Sequence, residues 1–157
     1  MTENTIGVPI AVAVTSAREH RIAKNGTAFE ISVSGLKGGH SGVDIHLGRA
    51  NANKILNRIL FTLNKNHNYQ LALISGGSVR NAIPREASSI VVIKEHSKDA
   101  FIRDFNKLVD EIKITLSSED SCNKFTIKEV AVPSSALPES IKNKILSSIY
   151  LAPNGVI

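Results

Sequence analysis

The chain has 157 residues, 42% hydrophobic and 21% charged, a composition typical of one soluble globular domain with its own core. Its net charge of +5 favours neither nucleic acid nor a membrane surface, because the basic residues form no long run and aromatic residues make up only 4%. No apolar run is long enough to span a membrane, and the first residues lack the pattern of a signal peptide. The single Cys122 excludes an internal disulfide and a thiolate zinc cluster. We therefore expect a cytoplasmic protein.

The first half of the chain alternates between strand and helix patterns. Residues 8–15 are predicted to form a short strand, which Pro9 places at a sheet edge or a strand start. A second strand is predicted at residues 29–33, where apolar and polar side chains alternate with period two. A helix follows, because six apolar residues recur at intervals of three and four. They are Ala52, Ile55, Leu56, Ile59, Leu60 and Leu63.

The second half of the chain contains three further strand patterns and a long amphipathic helix. Strands are predicted at about 70–74, 87–94 and 124–130. The helix is predicted from about residue 98 to 116, with Ser97 as its N-cap. Its apolar stripe consists of Phe101, Phe105, Leu108, Val109, Ile112 and Leu116.

The order of these elements predicts the fold. From residue 28 to 130 it reads strand, helix, strand, strand, helix, strand, which is the α+β, ferredoxin-like βαββαβ sandwich: a four-stranded antiparallel sheet with two helices on one face. A short helix opened by Pro138, with Ile141, Ile145 and Ile149 on one side, follows. We therefore predict a single domain over 1–157, with its core at 28–130 and a C-terminal helical extension at 137–152. The last five residues resemble a hairpin cut in half.

Two glycine-rich loops depart from this packing pattern. In the loop at 35–46, four glycines within eight residues indicate tight turning or the close approach of another group, and His40 lies at the tip. Composition alone leaves open a tight connection whose histidine is merely exposed. In the loop at 75–86, Asn81 and two arginines could hold a carboxylate or a carbonyl oxygen. The residues leave open a loop in which Asn81 bonds its own backbone and the arginines are solvated.

No metal site or nucleophile is indicated within the chain. Asp44 and His46 have the closest spacing to a ligand pair, but a zinc site needs three or four convergent ligands. Asp110 and Glu111 are adjacent on a predicted helix, where neighbours point apart. A catalytic serine is equally unsupported, because no Gly-x-Ser-x-Gly motif is present.

The two glycine-rich loops resemble those of the aminoacylhistidine (Xaa-His) dipeptidases, cytosolic zinc exopeptidases related to carboxypeptidase G2 and the carnosinases. The runs that carry the resemblance are GLKGGHSGVDIHLGRANANK at 35–54 and GGSVRNAIPREA at 76–87. The resemblance implies that this chain is the lid and dimerisation domain of a two-domain metallopeptidase. It implies two zinc ions in a separate catalytic domain and no cofactor in this chain, because no His-x-Asp element and no Glu-Glu pair is present. This chain alone is then expected to be inactive.

The resemblance also implies roles for single residues. His40 matches the lid histidine that polarises the scissile carbonyl and stabilises the oxyanion, and Asn81 matches a lid residue that contacts substrate. Lys94 stands where distant relatives have an arginine that holds the substrate carboxylate. Lysine lacks the planar fork of arginine, so Arg80 or Arg85 could share that role. The implied substrate-binding set is Gly38, Gly39, Arg80, Asn81, Arg85 and Lys94.

The partners implied by the resemblance are a second copy of the chain, the chain's own catalytic domain and a dipeptide substrate, with no nucleic acid and no membrane. Two alternatives remain at this point. A ferredoxin-like RNA-binding domain would fit the basic charge and the GXXG-like residues 35–38, but a KH-type loop joins two helices and the sheet lacks paired aromatic residues. A pure assembly domain would make no substrate contact, and the His40 loop argues against it.

Overall fold

The computed structural model describes residues 10–11, 20–22, 25–116 and 118–154. This part of the chain contains a five-stranded antiparallel sheet, two small two-stranded ladders and a layer of three helices. The strands are β1 (Ile10–Ala11), β2 (His20–Arg21), β3 (Gly26–Ser34), β4 (Gly39–His40), β5 (Gln70–Gly76), β6 (Ala82–Ile83), β7 (Ala87–Lys94), β8 (Lys124–Val130) and β9 (Ser135–Ala136). The helices are α1 (Ala52–Asn66), α2 (Lys98–Thr115) and α3 (Glu139–Leu151).

The main sheet has the strand order β1-β5-β7-β3-β8. Its four long strands are those predicted from the sequence, and their order confirms the βαββαβ sandwich. Of the strand predicted at 8–15, only β1 lies within the described residues, where it adds a fifth strand beside β5. Two small antiparallel ladders, β2 with β9 and β4 with β6, lie outside the main sheet. The predicted half hairpin at the end of the chain falls mostly outside the described residues.

The core lies between the sheet and the helices. On β3, Phe29, Ile31 and Val33 are buried, as their alternation with polar residues predicts. All six residues of the predicted α1 stripe are also buried. The stripe of α2 is confirmed in its centre, whereas Leu108 and Leu116 at its margin are half-buried. α1 lies between α2 and α3 and contacts β3, β5 and β7, so it is the element around which the core is assembled.

One local prediction about the helices was wrong and another is confirmed. Ser97 does not cap α2 through its side chain, because a 3-10 turn (Glu95–Ser97) leads directly into the helix and gives Ser97 φ −99° and ψ −2°. An N-cap serine needs extended backbone to reach the first free N–H groups. On α3, the predicted side of isoleucines is confirmed, because Ile149 is buried and Ile141 and Ile145 are half-buried against the core. Lys142 and Leu146 are buried beside them. The ammonium of Lys142 is satisfied by the carbonyl oxygen of Tyr69 at 2.9 Å.

Polar side chains of α1 hold α3 in an antiparallel arrangement. The Nζ of Lys54 donates to the carbonyl oxygens of Ile149 (2.7 Å), Tyr150 (2.9 Å) and Ala152 (2.7 Å), which lie at the end of α3. At the other end of the pair, Asn64 bonds Asn143 at 3.2 Å. The end of α3 therefore lies beside the start of α1. Within the described residues, no helix is long and apolar enough to cross a bilayer.

Replacing Lys54 with methionine tests this link between the helices. Met keeps the length of the side chain but removes a charged donor from three carbonyl oxygens, so we expect the free energy of unfolding to fall by about 1–3 kcal/mol. Denaturant unfolding followed by circular dichroism measures the change. Lys107→Met, at an exposed position of α2, is the matched control. Equal stability of the two variants would show that the Lys54 bonds contribute nothing.

Candidate functional site

A two-residue ladder joins the two glycine-rich loops. Gly39 pairs with Ile83 and His40 pairs with Ala82, and the N–H of Ser41 donates to the carbonyl oxygen of Asn81 at 2.9 Å. The loops are also tied where they leave this ladder, since Ala52 donates to the carbonyl of Pro84 at 3.0 Å. Two segments that the sequence presents as separate loops therefore form one structural unit at the end of the sheet.

The glycines at the turn into β4 are required by contacts within the chain. Gly38 has φ 63°, and a Cβ there would lie 2.4 Å from Cγ of Arg85. Gly39 has φ 148°, and a Cβ there would lie 2.4 Å from Nη1 of Arg49 and 2.6 Å from Oδ2 of Asp44. Left-handed backbone and close packing both exclude a side chain at these positions. The glycines thus let the His40 loop lie directly against the Asn81 loop.

The imidazole of His40 is exposed and has a defined hydrogen-bonding pattern. Its Nδ1 accepts a hydrogen bond from the N–H of Gly42 at 3.0 Å. In the neutral ring the proton must then be on Nε2, which makes Nε2–H an outward donor. Nε2 lies 3.5 Å from Nδ2 of Asn81. Rotating the Asn81 amide by a half-turn would present its oxygen to this donor, and amide orientation is set by such partners. The arrangement offers one imidazole donor with an amide beside it.

Asp44 braces the His40 loop. Its Oδ2 accepts the His40 N–H at 2.8 Å, and its own N–H donates to the His40 carbonyl at 2.8 Å. Arg49 lies 3.2 Å from the same carboxylate oxygen and also donates to the carbonyl of Gly38 at 2.9 Å. The His40 N–H bond first, and the positive charge of Arg49 as well, hold the pKa of Asp44 below its ordinary value of 3.8. The Asp44 carboxylate is therefore occupied by its own loop.

The residues present do not fit a metal ion. Among the described residues, no three histidine, cysteine, aspartate or glutamate side chains converge on a common point. Asp44 is engaged with Arg49 and the backbone, and His46 is exposed on the following turn.

The predicted carboxylate-binding residues fall into two groups. Arg80 and Arg85 are exposed and lie in the Asn81 loop, and the carbonyl of Arg85 accepts from the Leu36 N–H at 3.4 Å. Lys94 is the last residue of β7, opposite Gly26. The site lies at the other end of this strand, and seven residues of strand correspond to about 23 Å. The structure therefore brings His40, Asn81 and the arginines to one end of the sheet and leaves Lys94 at the other.

A row of hydroxyl groups borders the paired loops on the sheet face that carries no helix. It crosses four neighbouring strands at register-matched positions, Ser75, Ser88, Ser32 and Thr126. The first three of these residues, together with both loops, line a cleft of about 790 Å³. The sequence carries a signal for this row only on β3, where polar residues alternate with buried ones, because residues 90–93 of β7 are all apolar. Aromatic rings that could stack bases are absent from this row, so the RNA-binding alternative gains no support.

A buried carboxylate that we did not single out in the sequence supports the His40 loop from behind. Asp120 is 0% exposed, and its two oxygens accept the N–H groups of Lys37 (2.9 Å) and Ala50 (3.0 Å). Lys37 and Ala50 lie on either side of the glycine-rich stretch that carries His40. Residue 120 lies in a polar stretch with no apolar periodicity, so only the tertiary structure reveals it.

Comparison with known proteins gives consistent matches. The peptidase dimerisation domain family matches residues 31–116. The cytosol non-specific dipeptidase of Escherichia coli (strain K12) is 33% identical over 129 residues, which are 82% of this chain and 27% of that protein. The chain thus spans about a quarter of the length of this relative.

Two solved structures share this fold. The crystal structure of aminoacylhistidine dipeptidase from Vibrio alginolyticus matches with a TM-score of 0.84 and 32% identity, over 88% of this chain and 28% of that one. A hydantoinase/carbamoylase family amidase from Burkholderia ambifaria matches with a TM-score of 0.56 at 13% identity, over 71% of this chain and 28% of that one. The second likeness concerns the fold alone.

The ionisation of Asp44 provides a pH test of the loop. Because its pKa is lowered in the folded chain, the stability it contributes is present above pH 3.8 and is lost as the pH falls through the folded-state value. We expect the Asp44 carboxyl carbon to titrate in NMR with a midpoint below 3.8. Arg49→Met should move that midpoint upwards, and Arg103→Met on α2 should not. A wild-type midpoint at or above 3.8 would contradict the stabilisation of the His40 loop by the Asp44 carboxylate.

Proposed function

Since this chain belongs to the peptidase dimerisation domain family, we propose that it is the lid and dimerisation domain of a dipeptidase that hydrolyses Xaa-His and other dipeptides. The observation that carries this proposal is the β4–β6 ladder, which brings His40 and Asn81 together at one exposed edge. The 32% identity to the aminoacylhistidine dipeptidase of Vibrio alginolyticus over most of this chain supports the substrate class. A cytoplasmic location is proposed with it, supported by the name of the Escherichia coli relative.

The proposed chemical task of His40 is to donate a hydrogen bond to the scissile carbonyl oxygen. Its Nδ1 is occupied by the Gly42 N–H, so the exposed ring presents Nε2–H, which lies beside the Asn81 amide. A fixed donor gains strength as negative charge develops on the carbonyl oxygen, which lowers the barrier without requiring reorganisation. Asn81, 3.5 Å away, is proposed to orient the imidazole or to contact the same substrate.

The rest of the reaction is proposed to take place on residues outside this chain. The described residues do not fit a metal site, so the two zinc ions are assigned to a catalytic domain in the remainder of the polypeptide. The lid would contribute orientation of the dipeptide and exclusion of water when it closes. Because the zinc ions are assigned to residues outside this chain, we predict that the chain alone lacks dipeptidase activity.

When a dipeptide lies beside His40, its carboxylate is proposed to contact Arg80 or Arg85 of the same chain. Both arginines lie on the Asn81 loop, and guanidinium groups bind carboxylates with two parallel hydrogen bonds. A dipeptide spans about 7 Å, which is too short to reach from His40 to Lys94 at the far end of β7. Lys94 would fill this role only in a dimer in which it faces the His40 of the other copy.

The proposed dimer surface consists of β8 and α2. β8 is the last strand of the main sheet, and its outer edge has no strand partner among the described residues. Strand edges of this kind pair readily with a second copy about a two-fold axis. On α2, which follows β7 and precedes β8, Ile114 is 85% exposed. An exposed isoleucine on the helix that precedes an open edge strand supports an interface between identical chains.

Self-association through this surface can be tested on the chain itself. Ile114→Glu places a charge on α2 and should weaken the dimer by at least about 10-fold, which corresponds to the loss of one buried aliphatic side chain. Leu151→Glu is the matched control, because Leu151 is 77% exposed at the end of α3, away from β8. Sedimentation across a concentration series measures both variants. A wild-type chain that remains monomeric at millimolar concentration would contradict dimerisation through this domain.

The role of His40 can be tested in the complete polypeptide. His40→Ala should reduce kcat by about 10²–10³-fold, the usual effect of removing one oxyanion donor, with zinc content and fold unchanged. Asn81→Ala should give a smaller loss, divided between kcat and KM if Asn81 also binds the ground state. His46→Ala, exposed on the same loop, is the control and should retain activity. Full activity of the His40→Ala enzyme would contradict the proposed catalytic role of His40.

A further inference from the structure

We propose that Asp120 is a positioning residue for His40, an inference that rests on the proposed function of that histidine. Asp120 lies on no element of the sheet or helix layers, but in the 3-10 turn (Ser118–Asp120) that precedes β8. Its carboxylate bonds both ends of the loop that carries the imidazole, at Lys37 and at Ala50. The Asp120 side chain therefore links Lys37 to Ala50, on either side of a segment that belongs neither to the main sheet nor to α1.

The geometry of the carboxylate suits this task. Oδ1 accepts the Lys37 N–H at 2.9 Å and Oδ2 accepts the Ala50 N–H at 3.0 Å, so each oxygen fixes a different end of the loop. The group is 0% exposed, so water does not compete for these bonds. The turn that carries Asp120 is itself fixed, because the N–H of Asn123 donates to the Asp120 carbonyl at 3.2 Å.

The backbone beside Asp120 supports the same loop. Gly35 has φ 75°, and a Cβ there would lie 2.3 Å from the carbonyl oxygen of Cys122. The start of the loop is thus pressed against the segment that carries Asp120, and only glycine permits this contact. The segment 118–123 therefore acts as a support behind the loop, on the side away from the exposed imidazole.

From Asp120 the constraint continues to His40 through a short series of contacts. Arg49 adjoins Ala50 and donates to the carbonyl of Gly38, which lies two residues before His40. The same guanidinium pairs with Asp44, whose carboxylate holds the His40 N–H. Asp120 fixes the loop ends and Asp44 fixes its tip. Loss of the Asp120 bonds should therefore loosen the backbone from which the imidazole projects, while the distant core stays intact.

The experiment uses the Asp120→Asn variant of this chain. Asparagine has the same shape but replaces one acceptor oxygen with an NH₂ donor, so one of the two backbone N–H groups faces another donor. We expect hydrogen exchange at Lys37 or Ala50 to accelerate by about 10-fold, as loss of one ordinary hydrogen bond predicts, with exchange at Ile31 in β3 unchanged. Asp110→Asn, at an exposed position of α2, is the matched control.

The imidazole of His40 provides a readout that a purely structural role would not change. In the wild-type chain, ¹⁵N NMR should show the Nε2–H form, since Nδ1 accepts from Gly42. In Asp120→Asn the spectrum should shift towards a mixture of the two neutral forms. If that variant does not fold, Asp120→Ser retains one acceptor without opposing either N–H group, and the same measurements apply to it. Unchanged exchange and unchanged imidazole signals in a folded variant would overturn the proposal.

Kinetics of the complete polypeptide separate this inference from the proposed function. Asp120→Asn should lower kcat by about 10- to 100-fold with little change in KM, because a misplaced donor weakens the transition state more than substrate binding. If His40→Ala is impaired while Asp120→Asn leaves both the loop and kcat unchanged, the positioning role fails and the proposed function stands. If the loop loosens as expected while His40→Ala is fully active, the support by Asp120 stands and the proposed function fails.

Discussion

The candidate site depends on the short ladder between β4 and β6. Four residues pair here, and they bring His40 within 3.5 Å of Asn81, a residue 41 positions away in the chain. Neither loop could hold its own position, because glycine-rich backbone loses more conformational entropy on ordering than other sequences do. Pairing the two loops with each other, and bracing one of them with buried Asp120, offsets that loss. Polar contacts between the loops thus add to the anchoring that buried Leu36 and Ile83 provide.

The sequence predicted the elements of the fold well, because their signals are local. The period-two pattern of β3 and the helical stripe of α1 each depend on neighbouring residues alone, and both are confirmed. The side chain of Ser97 was predicted to cap α2 but makes no capping hydrogen bond. Its backbone conformation depends on the preceding 3-10 turn, which no sequence pattern predicts.

The candidate site was predicted only in part. His40 and Asn81 were identified from their loops, and the structure brings them together. Their contact could not be foreseen, since strands of two residues have no measurable periodicity. Asp120 is one acidic residue in a polar turn, and only its burial and its two backbone partners distinguish it. Lys94 was assigned to the site by its match to an arginine of distant relatives, and the strand, which separates positions by about 3.3 Å per residue, places it at the far end of β7 from His40 of the same chain.

The hydroxyl row across four strands has a consequence for motion of the domain. Ser32 bonds Thr126 at 2.6 Å, and the row lies on the face that no helix covers, next to the paired loops. Hydroxyl groups exchange protein partners for water at little net free energy. In the lid role proposed above, motion of the domain away from its counterpart would expose these hydroxyl groups to water along the row. The row itself would then contribute little hydrophobic free energy to either position of the domain.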